Sequence, residues 1–171
     1  ETTLVLDNAG LVEFSTIKEY NNVTQLYEER TQSFEYDTLN RVTKTIDPNG
    51  YITQTFYNSL NQPEKVIDAE GNITKAEYNH LGKVTKSIKE YRDANGLYEK
   101  ESAITNVYNE FGEMVQYIDD AGNTTEYSFD ILGRLETTKL PGNDNLIYSQ
   151  TYSAQGQVLT SSMPDGTVVN N

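Results

Sequence analysis

The sequence predicts an all-β chain in which antiparallel β-hairpins follow one another in tandem and form a continuous sheet. A seven-residue motif, which usually begins with an aromatic residue, recurs along the chain, and its fifth position is always Gly or Asn. A second turn motif, with Asp first and Gly fourth, alternates with it. Between the turns, β-branched and aromatic residues recur at every second position, as in strands, and no comparable helical stripe occurs.

Composition and charge exclude several classes of function. The chain has 171 residues, a net charge of −13 and a sequence pI of about 4.4. Binding to a nucleic-acid backbone needs a basic surface, so we expect no nucleic-acid partner. Cysteine is absent, which excludes disulfides, zinc–thiolate sites and thiol nucleophiles. No apolar run approaches the roughly 18 residues of a spanning helix, so we expect no membrane span.

The start of the chain shows no signal peptide and has Glu1 in place of Met. We therefore interpret the sequence as an excised piece of a longer protein. Tyrosine is abundant, with 13 residues, and tryptophan is absent. Together with frequent Gly, Asn, Asp and Thr, this composition is typical of strands and turns.

The first turn motif occurs seven times. Its copies are residues 36–42, 57–63, 78–84, 108–114, 129–135 and 152–158, with a variant at 6–12 that begins with Leu. The fifth position holds the residues that adopt a left-handed backbone conformation most easily, Gly10, Asn40, Asn61, Gly82, Gly112, Gly133 and Gly156. The second position is Asp, Asn or Ser, whose side chains bond nearby backbone. The motif predicts a type I turn followed by a left-handed residue, a frequent hairpin connection.

The second turn motif reads Asp-x-x-Gly. It occupies residues 47–50, 68–71, 93–96 and 119–122, and it recurs in shortened form at 164–166. Asp at the first position and Gly at the fourth are again typical of type I turns. Each repeat is therefore predicted to consist of a strand, a turn, a second strand and a second turn.

The repeat aromatics are predicted to have a structural role. They are Tyr36, Tyr57, Tyr78, Tyr108, Phe129 and Tyr152. Alternation places Tyr57 on one strand face with Thr53 and Thr55, while Val42 and Ile46 share a face of the returning strand. We expect each ring to pack on the aliphatic pair of a neighbouring strand, with its hydroxyl group hydrogen bonded or in water.

The repeats form a single array over residues 1–171. Its units lie at about 11–40, 41–61, 62–82, 83–112, 113–133 and 134–156, with partial units at both ends. The fifth positions of the first motif are 30, 21, 21, 30, 21 and 23 residues apart, so the order long, short, short occurs twice. Duplication of a three-unit block accounts for this order, and the alternative is that three hairpins form one structural layer.

Two segments carry a resemblance to the RHS/YD-repeat family. The family pattern is roughly Gly-x(7)-Tyr-Asp-x-x-Gly-Arg-Leu, followed by Asp-Pro-x-Gly. It is matched by Gly71 with Tyr78-Asn79-His80-Leu81-Gly82-Lys83-Val84, by Gly122 with Phe129-Asp130-Ile131-Leu132-Gly133-Arg134-Leu135, and in its trailing part by Asp47-Pro48-Asn49-Gly50. The resemblance covers nearly the whole chain, and six copies at near-constant spacing make it specific.

The resemblance implies a spiralling, curved antiparallel sheet that would be a segment of an RHS cocoon. In complete family members the sheet encloses a C-terminal toxic or effector domain, as in bacterial polymorphic toxins and insecticidal toxin-complex subunits. It further implies a bacterial protein that is secreted or lies on the cell surface. The aspartate-dependent self-cleavage of some members is not carried over, because Gly50 is followed by Tyr51 and no terminal cassette occurs.

No catalytic, cofactor-binding or metal-binding residue is predicted, and no cofactor. His80 lies inside a turn and has no nucleophile or orienting partner in the motif. The pair Asp119 and Asp120 fills a turn position, which favours a turn role over a catalytic one. Hard oxygen ligands for calcium occur at Asp93, Asn95, Asp119, Asp120 and residues 143–145, but their spacing matches no known calcium loop.

The leading interpretation is a non-catalytic shell segment of a large RHS-repeat protein that encapsulates and helps deliver a C-terminal toxin or effector domain. Its partners would be the remainder of the same polypeptide and the enclosed domain. The alternative is an extracellular adhesion or carbohydrate-binding module whose tyrosines stack on sugars. Because terminal strands of an array expose unpaired backbone groups, we also expect edge-to-edge homodimers of this fragment.

Overall fold

A computed structural model describes residues 1–93, 95–142 and 146–170. Within these ranges the chain is all-β, as the sequence predicts, and no helix is present that could cross a membrane. The strands are β1 (Thr2–Leu6), β2 (Val12–Asn21), β3 (Leu26–Tyr36), β4 (Val42–Ile46), β5 (Ile52–Tyr57), β6 (Pro63–Ile67), β7 (Ile73–Tyr78), β8 (Val84–Arg92), β9 (Tyr98–Tyr108), β10 (Met114–Ile118), β11 (Thr124–Phe129), β12 (Leu135–Lys139), β13 (Ile147–Tyr152), β14 (Val158–Ser162) and β15 (Val168–Asn170). The prediction of tandem antiparallel hairpins is confirmed.

The sheet follows the order of the chain. Each strand is hydrogen bonded to the next, from β1 to β15, without a crossover connection. The strands are rich in Thr, Val, Ile and Tyr, which fit a pleated and partly covered surface. Short turns between successive strands allow this antiparallel meander, since neighbouring strands need only a few connecting residues.

The chain comprises two compact units. The first contains Glu1–Lys75 and Lys89–Glu101, and the second contains Ala76–Ile88 and Ser102–Asn171. In the first unit, β2 and β3 form a long hairpin whose pairing runs from Phe14 opposite Ser33 to Asn21 opposite Leu26. In the second unit, β10 to β15 form consecutive antiparallel pairs.

Side chains of the sheet are covered only partly. Among the residues whose burial is described, Ile73 is the one buried hydrophobic residue, at 8% exposure. It lies opposite Ile67, and Ile46 lies opposite Ile52 in the neighbouring hairpin, so aliphatic pairs form a shallow apolar surface in the first unit. The fold of the described residues therefore depends on strand pairing and cross-strand contacts more than on a deep core.

Both kinds of turn have the same hydrogen-bonding pattern. In the first kind, Asn40 N–H donates to Asp37 O, and Asp37 N–H donates to Arg41 O. In the second kind, Gly50 N–H donates to Asp47 O, and Asp47 N–H donates to Tyr51 O. The final copy of the second turn begins at Met163, because Gly166 N–H donates to Met163 O. This turn therefore has its full length, whereas the sequence motif predicts a shortened one.

A β-bulge distinguishes the two kinds of hairpin. The register shifts by one residue beside the repeat aromatic, for example between Glu35 and Tyr36, between Phe56 and Tyr57, and between Ser128 and Phe129. The described pairs across second turns, such as β4 with β5, show no shift. Because a bulge changes the direction of nearby side chains, it sets the orientation of the aromatic residue.

Candidate functional site

Tyrosine hydroxyl groups join several repeats to the repeat before them. The hydroxyl of Tyr57, at the end of β5, donates to the carbonyl oxygen of Val42, at the start of β4, over 2.9 Å. Equivalent bonds join Tyr36 to Val12 at 2.8 Å, Tyr108 to Val84 at 3.2 Å and Tyr152 to Leu135 at 2.7 Å. The acceptor is always the seventh residue of the preceding first-motif copy. We call this contact the tyrosine staple.

The repeat aromatics are half-buried in the sheet. This class contains Tyr36, Tyr57, Tyr78, Tyr108, Phe129 and Tyr152. In contrast, three tyrosines close to second turns are exposed, with values of 61% for Tyr51, 39% for Tyr91 and 45% for Tyr98. A half-buried ring contributes apolar contact area, while the staple satisfies its hydroxyl group. The arrangement therefore supports a structural role for the repeat aromatics.

The second and sixth motif positions form an ion pair at one repeat junction. The Oδ2 atom of Asp37 lies 2.8 Å from Arg41 Nε and 2.7 Å from Arg41 Nη2. The guanidinium group of Arg41 lies over the Tyr57 ring of the next repeat, 4.6 Å from the ring centroid. Its Nη1 atom donates to the carbonyl oxygen of Asn58 at 3.3 Å and to Asn61 Oδ1 at 2.8 Å.

The same arrangement recurs in the second unit. Arg134 Nε donates to Asp130 Oδ2 at 2.6 Å, and the guanidinium group lies 4.6 Å from the centroid of the Tyr152 ring. Arg134 Nη1 donates to the carbonyl oxygen of Ser153 at 2.8 Å. In both places an arginine therefore binds the aspartate of its own motif and the aromatic ring and backbone of the next one. We call this set of contacts the arginine clamp.

Other motif copies replace the ion pair with a neutral or mixed pair. Asn58 Nδ2 donates to Gln62 Oε1 at 2.9 Å, and Asn109 Nδ2 donates to Glu113 Oε2 at 2.7 Å. The sequence interpretation gave no role to the sixth position. The signal was present, however, because Asp at the second position coincides with Arg at the sixth in residues 36–42 and 129–135.

Turn hydrogen bonds lower the pKa of several carboxyl groups. The largest cause for Asp37 is the side-chain hydrogen bond from Arg41, which lowers its pKa below the ordinary value. For Asp130 the largest cause is the backbone N–H of Arg134, which likewise lowers the pKa. Donors that face an ionised carboxylate favour its charged form. These aspartates are therefore held as turn-forming anions.

All seven fifth-position residues of the first motif have positive φ. Asn40 and Asn61 have φ of 62°, and the five glycines, at 10, 82, 112, 133 and 156, have φ between 75° and 86°. Two glycines also lie close to other side chains. A Cβ atom on Gly112 would lie 3.4 Å from Leu81 Cδ1, and one on Gly133 would lie 2.7 Å from Glu113 Oε1.

Two other candidate residues of the sequence make hydrogen bonds within their own turns. Asp93 accepts from Leu97 N–H at 2.7 Å and from Asn95 Nδ2 at 3.0 Å, and the first of these bonds is the main cause of its lowered pKa. Asp119 accepts from Asn123 Nδ2 at 2.9 Å, which is the main cause of its lowered pKa. His80 is exposed in its turn.

Residues that could hold a metal ion do not converge in the part of the chain that the structure describes. No group of three or more His, Asp or Glu side chains is close enough there for joint coordination. Asp120 accepts a hydrogen bond from Ser102 Oγ at 3.3 Å. The candidates at residues 143–145 lie outside the described residues.

Comparisons with known proteins found one curated relative over part of the chain and solved structures over nearly all of it. No family model matches it. A segment of 55 residues is 38% identical to double-stranded DNA deaminase toxin A of Burkholderia cenocepacia, covering 32% of this chain and 4% of that protein. The crystal structure of TcdB2-TccC3-Cdc42 is 14% identical over 99% of this chain and 13% of that chain, with a TM-score of 0.47. The Photorhabdus luminescens Tc holotoxin pore is 15% identical over the same shares, with a TM-score of 0.45.

The RHS/YD-repeat resemblance rests on the motifs of the sequence. The chain spans only a small part of each of these proteins, 4% of the curated relative and 13% of the two solved chains. What those proteins do as a whole is therefore a property of much longer polypeptides.

Proposed function

We propose that this RHS/YD-repeat chain is a non-catalytic wall segment of a larger bacterial protein that is secreted or exposed at the cell surface. The wall would enclose a C-terminal toxin or effector domain and help to deliver it. The observation that carries this proposal is the partly covered sheet, in which successive hairpins are joined by strand pairing and tyrosine staples. Among the residues whose burial is described, Ile73 is the one buried hydrophobic residue. Such an array extends by adding repeats and gains surface without needing a deep core.

The chemistry of the described side chains supports a structural role. Carboxylates such as Asp37, Asp47 and Asp119 accept backbone N–H groups of their own turns. An acid or base in catalysis must instead be free to exchange a proton with a substrate. These three aspartates therefore serve to fix turns.

The curated relative supports the proposed setting. It is named a double-stranded DNA deaminase toxin, and the similar segment makes up 4% of its length. We infer that this chain likewise belongs to a toxin polypeptide in which a different segment carries the activity. Its partners are then the remainder of that polypeptide and the enclosed domain, and the net charge of −13 keeps the wall soluble.

Limited proteolysis of the full-length protein tests the proposal. If the array encloses a domain, that domain will resist protease in the native protein and will be digested after repeat junctions are weakened by Tyr57→Ala combined with Tyr152→Ala. The matched control is Tyr51→Ala, which removes an exposed tyrosine outside the staples. A downstream domain that is digested equally fast in the unaltered protein would overturn the proposal, as would a polypeptide that has no such domain.

Edge pairing of the isolated chain is a further part of the proposal. Within the described residues, β1 pairs only with β2 and β15 pairs only with β14. Strand edges with free N–H and C=O groups accept another strand. Sedimentation velocity across a concentration series should therefore show dimers at high concentration, and a strict monomer throughout would contradict edge pairing.

A further inference from the structure

One repeat junction in the second unit lacks both the tyrosine staple and the arginine clamp. Phe129 replaces the repeat tyrosine, so no hydroxyl group is available for a staple. The sixth residue of the preceding motif copy, which is Arg41 or Arg134 at the clamped junctions, is here Glu113. A carboxylate therefore occupies the motif position from which a guanidinium group reaches the next aromatic ring elsewhere.

A cleft lies beside this ring. Its lining includes Glu113, Val115, Tyr127, Phe129 and Asp130. At clamped junctions the corresponding space holds the guanidinium group, which lies 4.6 Å from the ring centroid and donates to the carbonyl oxygen of the following residue. The equivalent acceptor here is the carbonyl oxygen of Asp130. Among the described residues, no cation lies over the Phe129 ring.

The carboxylate of Glu113 faces this space in a defined orientation. Its Oε2 atom accepts the Asn109 amide at 2.7 Å, and its Oε1 atom lies 2.7 Å from the position of a Cβ on Gly133. The glycine at this position leaves room for the carboxylate. An ionised oxygen, an aromatic face and a backbone carbonyl thus border one cleft, and all three attract a planar cation with several N–H donors.

Apolar side chains surround the cleft. Phe111 is 87% exposed, and Ile131 and Leu132 are 101% and 68% exposed. They come from two neighbouring first turns, at residues 109–112 and 130–133. Clustered exposed apolar side chains are typical of surfaces that bind another polypeptide.

We propose that this cleft docks an arginine side chain that a partner polypeptide presents between apolar residues. The guanidinium group would lie on the Phe129 ring and donate to the Asp130 carbonyl oxygen, as the chain's own arginines contact the corresponding groups at two other junctions. It would also pair with the Glu113 carboxylate. The flanking apolar residues would cover Phe111 and Leu132. Arginine suits this cleft better than lysine, because its planar group stacks on rings and is more weakly hydrated.

Nuclear magnetic resonance titration of the isotopically labelled 171-residue chain tests the proposal. The probe is the blocked peptide Leu-Arg-Leu, and the matched controls are blocked Leu-Lys-Leu and Leu-Glu-Leu. We expect concentration-dependent amide shifts that are confined to residues around Glu113, Phe129 and Gly133. Binding of the lysine peptide should be roughly fivefold weaker or more, and the glutamate peptide should cause no shifts, because cation–π and bidentate contacts favour arginine.

Two substitutions identify the cleft as the site. Glu113→Arg supplies the chain's own guanidinium group and should abolish peptide binding, while Glu113→Gln removes the charge and should weaken binding about fivefold or more. Glu110→Gln makes the same charge change in the neighbouring turn and should leave binding unchanged. Equal shifts with the lysine peptide, retained binding in the Glu113 variants that keep dispersed native spectra, or absence of shifts at the cleft would each overturn the proposal.

Discussion

The Tyr57 hydroxyl group donates to the Val42 carbonyl oxygen at 2.9 Å. Tyr57 precedes one copy of the first turn and Val42 follows the copy before it, so the bond joins consecutive repeats. This bond connects two hairpins that already share strand pairing between β4 and β5. Its recurrence at Tyr36, Tyr108 and Tyr152 makes it a regular feature of the array. The stability of a repeat junction should therefore depend on this hydroxyl group.

Removing one staple should lower stability by the value of one hydrogen bond. Tyr57→Phe keeps the ring and should lower the free energy of unfolding by about 1 kcal/mol. Tyr57→Ala also removes the half-buried ring beneath Arg41 and should lower it by roughly 2–4 kcal/mol. Urea unfolding measures both values, and Tyr51→Phe, which alters an exposed tyrosine, should have no effect. Equal stability of Tyr57→Phe and the unaltered chain would contradict a role for the staple.

Restoring the missing staple should stabilise the array. Phe129→Tyr places a hydroxyl group where it is expected to reach the Met114 carbonyl oxygen, the seventh residue of the preceding copy. We expect the free energy of unfolding to rise by about 0.5–1 kcal/mol. Phe56→Tyr is the matched control, because Phe56 is 43% exposed and is not a repeat aromatic. A rise of similar size in the control would show that the added hydroxyl acts without the staple.

Fifth-position residues should tolerate only changes that keep positive φ. Gly112 has φ of 81°, so Gly112→Val should lower the free energy of unfolding by about 1–3 kcal/mol through backbone strain. Asn40→Gly keeps a left-handed residue at φ of 62° and should be close to neutral. Thermal unfolding followed by circular dichroism compares the two. A neutral Gly112→Val variant would contradict the turn assignment.

The arginine clamp should respond to paired substitution. Asp37→Asn or Arg41→Gln alone leaves one member of the pair without its charged partner, and each should lower the free energy of unfolding. The double variant recreates the Asn58–Gln62 pair that this chain uses one repeat later. Its loss should therefore be smaller than the sum of the single losses. Simple additivity in this double-mutant cycle would show that the two side chains do not act together.

Acid should weaken the turns whose aspartates have lowered pKa values. For Asp37 the folded pKa lies below the ordinary value of 3.8. Its stabilising contribution is therefore present above the unfolded pKa and is lost as the pH falls through the folded pKa. Relief of repulsion between acidic groups acts in the opposite direction on the whole chain. The informative quantity is therefore the difference between a variant and the unaltered chain.

Asp37→Asn should be less stable than the unaltered chain at pH 7, and this difference should shrink below about pH 4. Urea midpoints measured from pH 7 to pH 2 provide the comparison. A difference for Asp37→Asn that stays constant over this range would show that its carboxylate is not held in the charged form by the turn.

Local chemistry alone determined the strands and turns. Asn40 and Gly133 could be assigned as left-handed residues because few residue types adopt positive φ easily, and Asp47 could be assigned to a turn because its side chain caps nearby N–H groups. Alternation in segments such as β5 predicted strands because the period of two is set by the backbone. These features depend on residues that are close in sequence, so a single sequence is sufficient to predict them.

Contacts between repeats were decided by the tertiary structure. The sequence marked Tyr57 as a repeat residue but left its hydroxyl group either hydrogen bonded or in water, and it gave Arg41 no role. The staple to Val42 and the clamp on Tyr57 depend on the register of neighbouring strands and on a bulge beside the aromatic residue. A shift of one residue would move these side chains to the other face of the sheet, so only the paired strands specify which atoms meet.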